Sequence, residues 1–365
     1  MLIKMSPPPD TETSLAYCTY CPKLCRHTCP VSNAEAKETL TPRDKMATLR
    51  LIRRGEVSRT IEQTEPIYGC TGCGACTDFC QHKVEPAEVL FAGRAEAERE
   101  GRGHPALHDL VARFGEHSLN AAAEVRAAIP QAKRPTEAQI AFFPGCDAPS
   151  LAPTMLTLCE RIGAEYVSVA DGEHGCGGYP LLAAGQLDAF RIHAERMARQ
   201  LAGYARVVVN CPSCVWAMRT QYRGFGVPLA PAIEHTSEFL EGYVERLPVA
   251  KKRAAAFYQD PCYLGRWLGV YEAPRRLAGK AVEELREFSR AKNEAECTGG
   301  GGLLPVTMPA TAKAIADHRL EEVRQAKVAT VVTSCPTCKR QLGRDDVQAI
   351  DLIELLAEAT RALPR

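Results

Sequence analysis

Nowhere in the 365 residues is there a run of eighteen apolar ones, so no transmembrane helix is predicted and no direct membrane insertion. The opening residues, MLIKMSPPPD, lack the apolar stretch of a secretory leader. The expected compartment is the cytoplasm, peripheral at the inner face of a membrane only through a partner. Charge of one sign is not in excess: 45 Lys and Arg against 44 Asp and Glu leave a net charge of +1. That argues against a nucleic-acid partner and against an acidic tail. No P-loop, flavin or nicotinamide signature occurs, because the glycine run at 299–302 lacks the G-x-G-x-x-G spacing. Any chemistry belonging to such a cofactor is therefore expected on another chain.

Cysteine is what the chain has in excess, with seventeen. In a long chain without an export signal, clustered thiols predict metal rather than disulfides. Two runs stand near the N-terminus: C-x2-C-x3-C-x3-C-P at Cys18, Cys21, Cys25 and Cys29, and C-x2-C-x2-C-x3-C at Cys70, Cys73, Cys76 and Cys80. The second matches the bacterial ferredoxin run, whose fourth cysteine serves the other cluster; the first has one residue more before Cys25. Two cubane [4Fe–4S] clusters are predicted, one on Cys18, Cys21, Cys25 and Cys80, the other on Cys70, Cys73, Cys76 and Cys29. The competing reading is two zinc sites, which usually separate their cysteine pairs by a longer loop. Gly69, Gly72 and Gly74 would let backbone amides approach the cluster sulfides.

Between the runs the pattern is helical. Thr41 suits an N-cap, Pro42 the first helical position and Gly55 the C′ position, and a second helix is expected at 58–67. Residues 1–92 thus read as an α-helical ferredoxin domain. Arg43, Arg50, Arg53, Arg54 and Arg59 make it basic, either as a solvated face or as a dock for an acidic redox partner. Residues 93–138 read as a helical linker, with helices at about 93–101 and 106–128, then a loop, QAKRPTEAQ. Its His104, His108 and His117 read as surface residues.

The rest of the chain is duplicated. The stretches 140-IAFFPGC, 174-HGCGGYPLLAAG, 207-VVVNCPSC and 235-HTSEFL return in order as 256-AFYQDPC, 296-ECTGGGGLLP, 331-VVTSCPTC and 351-DLIELL. Two lobes follow, 139–250 and 251–365, with Lys251-Lys252-Arg253 at the boundary. In each, apolar strands run into cysteine loops with helices between, such as 186–202 and 310–326, which predicts parallel-sheet, Rossmann-like α/β lobes. Loops at the carboxyl ends of parallel strands converge. Four thiols should therefore meet in each lobe: Cys146, Cys176, Cys211 and Cys214, then Cys262, Cys297, Cys335 and Cys338. They are candidate ligands of one or two further iron–sulfur clusters, or of zinc. The glycines at 177–178 and 299–302 permit close backbone approach. Cys159, within MLTLCERIG, reads as an apolar core residue.

This order, C…C-C-G…C-x-x-C twice over after a two-cluster domain, resembles the cysteine-rich (CCG) family. It is similar to the D and B components of heterodisulfide reductase, and to the iron–sulfur subunits of glycolate oxidase, lactate utilisation systems and anaerobic glycerol-3-phosphate dehydrogenase. The resemblance covers 18–91 and 139–358. It implies an electron-transfer subunit of an oxidoreductase complex, partnered by a flavoprotein or other redox subunit, and in some cases by one that anchors the complex to a membrane. It also implies, for heterodisulfide reductases, noncubane clusters that use both cysteines of the C-C pair. Here the second is missing twice, as Cys176-Gly177-Gly178 and Cys297-Thr298-Gly299. Four thiolates suit an ordinary [4Fe–4S] cluster or zinc better. His174, or Glu294 and Glu296 in the second lobe, stand near enough in sequence to be considered as substitute ligands. The expected function is an electron relay between a flavoprotein dehydrogenase-type partner and an acceptor, with no catalytic residue of its own. The alternatives are a thiol or disulfide reductase and a zinc-stabilised assembly scaffold.

Overall fold

The computed structural model describes residues 11–129, 139–164, 167–170, 172–247, 250–251 and 253–361. The opening MLIKMSPPPD, the loop at 131–138 and Lys252 lie outside them. The described chain divides into two compact units. One comprises the N-terminal residues to Phe114 with the segments Pro180–Phe190 and Asn293–Arg319. The other comprises Gly115–Tyr179, Arg191–Lys292 and Leu320–Arg365. Among the described residues no helix is long and apolar enough to cross a membrane.

The first unit is helical, as read. The helix Pro42–Arg53 starts where Thr41 accepts a hydrogen bond from the Asp44 N–H and Pro42 occupies the first turn; Gly55, at φ +72°, follows its end. The next helix is Ile61–Tyr68, capped by Thr60. The long helix Pro86–Arg99 begins earlier than the linker reading placed it, because Pro86 opens it and its buried stripe packs on the Pro42–Arg53 helix. Leu15, Met46, Leu49, Ile52, Tyr68, Val89 and Leu90 form the shared core. Four of the five arginines read as a basic face find acids within the unit: Arg43 with Asp44, Arg53 with Glu96, Arg54 with Glu56, and Arg59 with Glu100, while Arg50 lies over the Tyr20 ring.

The second unit holds two four-stranded sheets. Strands β1 (Ile140–Phe143), β2 (Val167–Val169), β3 (Arg206–Val209) and β4 (Ala232–His235) form the first, in the order β2-β1-β3-β4. Strands β5 (Arg253–Gln259), β6 (Val282–Glu287), β7 (Thr330–Thr333) and β8 (Gln348–Asp351) repeat that order as β6-β5-β7-β8. Every pairing is parallel. Phe142, Phe143 and Val207 to Val209 are fully or almost fully buried, as expected of central strands covered on both faces. One apolar core joins the sheets: Phe142, Met155, Cys159 and Val208 belong to it with Tyr258, Leu277, Val332 and Leu356.

The lobes are also stitched by a reciprocal pair of polar contacts. Asn210, just before Cys211, donates through Nδ2 to Asp351 Oδ2 at 3.1 Å. Ser334, just before Cys335, meets the His235 ring through its backbone. His235 and Asp351 are equivalent residues, each opening the last helix of its lobe and each paired with a glutamate three residues on.

Candidate metal centres

In the first unit the N-terminal thiols sort into two sets. Cys18 and Cys25 face each other, and both face Cys21 and Cys80; burial and these neighbours push Cys18 up to about 12 and Cys25 up to about 11. Cys76 is held well above the usual thiol range by burial, then by Cys73 and Cys70, with Cys25 and Cys29 behind them. Cys80 thus stands beside Cys18 and Cys25 of the other run, while Cys29 acts on both Cys25 and Cys76. Gly72 and Gly74 have φ of +69° and +73°, and the Gly72 N–H donates to Cys70 Sγ at 3.4 Å.

Two cations converge on the second set. Lys45, 2% exposed, donates to the Gly69 carbonyl at 2.6 Å and to Cys29 Sγ at 3.4 Å. Arg94, fully buried, donates to the carbonyls of Ile67, Tyr68 and Cys70, and to those of Ala183 and Gly302 from the two later segments. The glycine run does allow a close approach, but to this loop: a Cβ at Gly302 would lie 2.0 Å from the Cys70 carbonyl oxygen.

In the second unit the first lobe gathers its four thiols. Strand β1 ends before Cys146 and β3 before Cys211, which opens the short helix Pro212–Trp216. Cys146 Sγ and Cys176 Sγ are 3.4 Å apart. The Cys211 thiol is lowered, first by a hydrogen bond with Cys214, while Cys214 is raised and feels Cys176 and Cys146 as well. His117, exposed as read, nevertheless turns its ring onto the Cys146 thiol, and that hydrogen bond raises the imidazole's pKa. His174 makes no ligand-like contact: its ring packs edge-on against His193 at 5.2 Å, and its Nδ1 is buried without a partner. His193 instead bonds the Cys176 carbonyl at 2.7 Å.

Of the second lobe's thiols, Cys262, Cys335 and Cys338 belong to the second unit. Cys335 opens the helix Pro336–Leu342, accepts from the Cys338 N–H at 3.5 Å, and lies near enough to Cys211 for their charges to interact. Cys297 belongs to the first unit, where the Gly299 N–H donates to its sulfur at 3.3 Å. Glu296 there pairs with Arg319. Across the lobes, Asp147 beside Cys146 accepts from Thr337 Oγ1 at 2.7 Å and from Arg340, both in the second lobe's C-P-T-C-K-R stretch. An aromatic group, Tyr179, Trp216, Tyr263 and Trp267, lies between the two sets of loops, with Tyr263 and Tyr179 hydroxyls bonded at 2.9 Å. Among the described residues no three His, Cys, Asp or Glu side chains close on one point as ligands of a single ion do.

Residues 14–84 match the family model of a 4Fe-4S dicluster domain, and 140–219 and 256–343 each match that of a cysteine-rich domain, CCG. The chain belongs to the CCG iron–sulfur proteins. It is 28% identical to the D component of the dihydromethanophenazine:CoB–CoM heterodisulfide reductase of Methanosarcina barkeri, over 98% of both chains. It is 28% identical to the B component of the fumarate reductase (CoM/CoB) of Methanothermobacter marburgensis, covering 80% of this chain and 61% of that one. The EtfAB:quinone oxidoreductase of Syntrophomonas wolfei is 22% identical over 80% of this chain and 45% of its own. The chain is accordingly an iron–sulfur electron-transfer subunit of the kind found in oxidoreductase complexes.

The lost cysteine of the first CCG motif has a structural correlate. A Cβ at Gly177 would stand 2.9 Å from both Cβ and Sγ of Cys214, so a second thiol there requires Cys214 to move. Tyr222 locks the loop by donating to the Gly177 carbonyl at 3.1 Å. Two contributors, Lys45 and Arg94, went unread in the sequence, and His117 was read only as a surface residue. A signal existed for both lysine and arginine, since Lys45 lies in helical phase with Leu49 and Ile52, and Arg94 with Leu90 and Ala97.

Proposed function

We propose that this chain relays single electrons between a flavoprotein dehydrogenase-type partner and an acceptor. Cys18, Cys21, Cys25 and Cys80 hold one [4Fe–4S] cluster, and Cys29, Cys70, Cys73 and Cys76 the other. The observation that supports this reading is the placement of Cys80 beside Cys18 and Cys25 of the other run. A bound cluster supplies one-electron storage without bond-making or proton transfer. The chain's own residues hold it: buried thiols are poor thiolates until a metal's positive charge arrives, so loading releases protons. In the lobes, Cys146, Cys176, Cys211 and Cys214 form a four-thiol set for a further cluster or zinc, and Cys262, Cys335 and Cys338 of the second lobe are candidate ligands of the same kind. Relatives named as heterodisulfide reductase and quinone oxidoreductase suggest a redox complex in which other subunits carry the substrate chemistry, one of them at a membrane. The packing of Gly177 on Cys214 weighs against a five-thiolate centre in the first lobe, and with it against disulfide reduction there.

Iron, acid-labile sulfide and zinc per chain, measured on protein purified without oxygen, test this. About eight irons correspond to the two N-terminal cubanes alone, and about twelve or sixteen to one or two clusters in the lobes as well. Cys73→Ser is expected to lose about four irons and most electron transfer while leaving the lobes folded. Wild-type iron in that variant, or zinc in place of iron, defeats the assignment.

A further inference from the structure

The Pro42–Arg53 helix turns Lys45 inward beside Met46, Leu49 and Ile52, all buried. The ammonium has two protein partners, the Gly69 carbonyl and Cys29 Sγ. Among the described residues no carboxylate stands within ion-pair distance of it. A buried ammonium without a counter-ion is costly, and such groups persist where an anion balances them. The nearest candidates are the thiols of Cys29 and Cys70; the Lys45 charge favours the Cys70 thiolate, as does that of Arg94, against the burial that raises the thiol. Arg94 reaches the same cysteine through its carbonyl, 2.9 Å away. Among the described residues the set of Cys18, Cys21, Cys25 and Cys80 has no such pair. Its nearby cation, Arg43, is the last and smallest influence on Cys18, is partly exposed, and is already answered by Asp44.

An iron–sulfur cluster gains negative charge on reduction, and its potential rises with the positive charge and hydrogen bonds around its sulfurs. Resting on the ligand reading above, we propose that Lys45, supported by Arg94, makes the site of Cys29, Cys70, Cys73 and Cys76 the electron sink of the dicluster module. One electron from a one-electron donor enters at the more exposed Cys18 set and settles on this cluster. The donor is oxidised by one electron, the cluster is reduced by one, and no bond or proton moves. Lys45 is a positioning residue for charge rather than a ligand.

The test is a dithionite titration of the loaded full-length chain followed by EPR, in wild type, Lys45→Met and Lys45→Arg. Lys45→Met is expected to make one cluster at least tenfold harder to reduce at a given potential, a fall of 59 mV or more for one electron. The other cluster and the iron content are expected to stay as in wild type, and Lys45→Arg to recover most of the shift. Unchanged midpoints in an iron-replete Lys45→Met chain overturn the proposal. Should Lys45→Met fail to load, Cys21→Ser decides instead: removing the Cys18-set cluster must leave the higher-potential EPR signal, and its disappearance overturns the proposal. Iron analysis of Cys21→Ser and Cys73→Ser separates the two layers. If neither loses about one cluster's iron, the ligand reading itself has failed, whatever the potentials do.

Discussion

The two cysteine-rich lobes share a strand order and a loop plan, yet they place charge differently around corresponding thiols. In the first lobe β1 leads through Gly145, at φ +83°, to Cys146, and a Cβ at Gly145 would lie 3.0 Å from the Cys211 Cβ. In the second, β5 leads through Asp260 and Pro261 to Cys262. Asp260 is 4% exposed and gripped at both oxygens by Arg275, at 2.7 Å each, while the Lys292 N–H adds a third bond. Arg275 also reaches Glu287 at 2.7 and 2.8 Å and lies over the Tyr258 ring. The helix that follows β1, Leu151–Ile162, contributes the apolar Cys159 where its counterpart, Glu272–Ala281, contributes this arginine. The duplication therefore preserved backbone geometry, while one lobe supports its first cysteine loop by close packing and the other by a buried ion network.

That contrast is sharpest under Arg275→Ala. Removing one partner of a buried pair leaves a carboxylate without its cation and costs about 3–5 kcal/mol. The loss is expected in unfolding by urea, together with weakened metal retention in the second lobe only. Arg275→Lys is expected to recover little, because an ammonium cannot bridge two carboxylates through a planar fork. Wild-type stability in Arg275→Ala would show that the network is ornamental and that both lobes rest on packing alone.

A subtler contrast lies at the caps. Burial lowers His235 to about 4 and raises Asp351 to about 6. His235 accepts from the Ser237 N–H at Nδ1, so its Nε2 carries the proton toward Asn210 and Ser334. Between pH 6.5 and about 4 the unfolded chain binds more protons at His235, so that contribution to stability is lost as pH falls. Between about 6 and 3.8 the folded chain binds more protons at Asp351, so that contribution is lost as pH rises. Each displacement corresponds to about 3 kcal/mol, with opposite sign and nearly the same window. The iron-free wild type should show little net dependence from these two. Asp351→Asn, which can still cap, is expected to lose about 3 kcal/mol relative to wild type on going from pH 6.5 to 4. His235→Asn is expected to gain a similar amount over that range. Two variants whose urea midpoints track wild type across the window would end the idea of compensating caps.

The sequence made the duplication, the helical module and the four cysteine-bearing strands legible, because each rests on local patterning: apolar runs ending in cysteine, and a capped helix between cysteine runs. Strand β6, VEELRE, was not legible. It is an edge strand, half exposed and charged, so nothing in its pattern distinguishes it from a loop. Lys45 and Arg94 went unread because burial of a long basic chain is decided by what packs over it. In this case those are segments as distant as Gly302. His117 reads as a surface residue and is one; only the fold brings Cys146 beneath it. The exchange between Asn210, Asp351, Ser334 and His235 is likewise invisible until two sheets share a core.

The smallest effect tests the apolar side of the lobe comparison. Cys159 is 2% exposed among Phe142, Met155 and Leu158, and burial pushes its thiol up to about 12. A thiol so placed has no charged form to offer a metal at neutral pH, and it stands in the core rather than at the loops. Cys159→Ala removes one buried sulfur and leaves a small cavity, a loss of about 1 kcal/mol. Iron and sulfide per chain are expected to remain at wild-type values, which separates this cysteine from the other sixteen by experiment. A fall in iron would mean that the first lobe's helix contributes a ligand, and its apparent contrast with Arg275 in the second lobe would become a likeness: both helices would then serve the cysteine loops rather than the core.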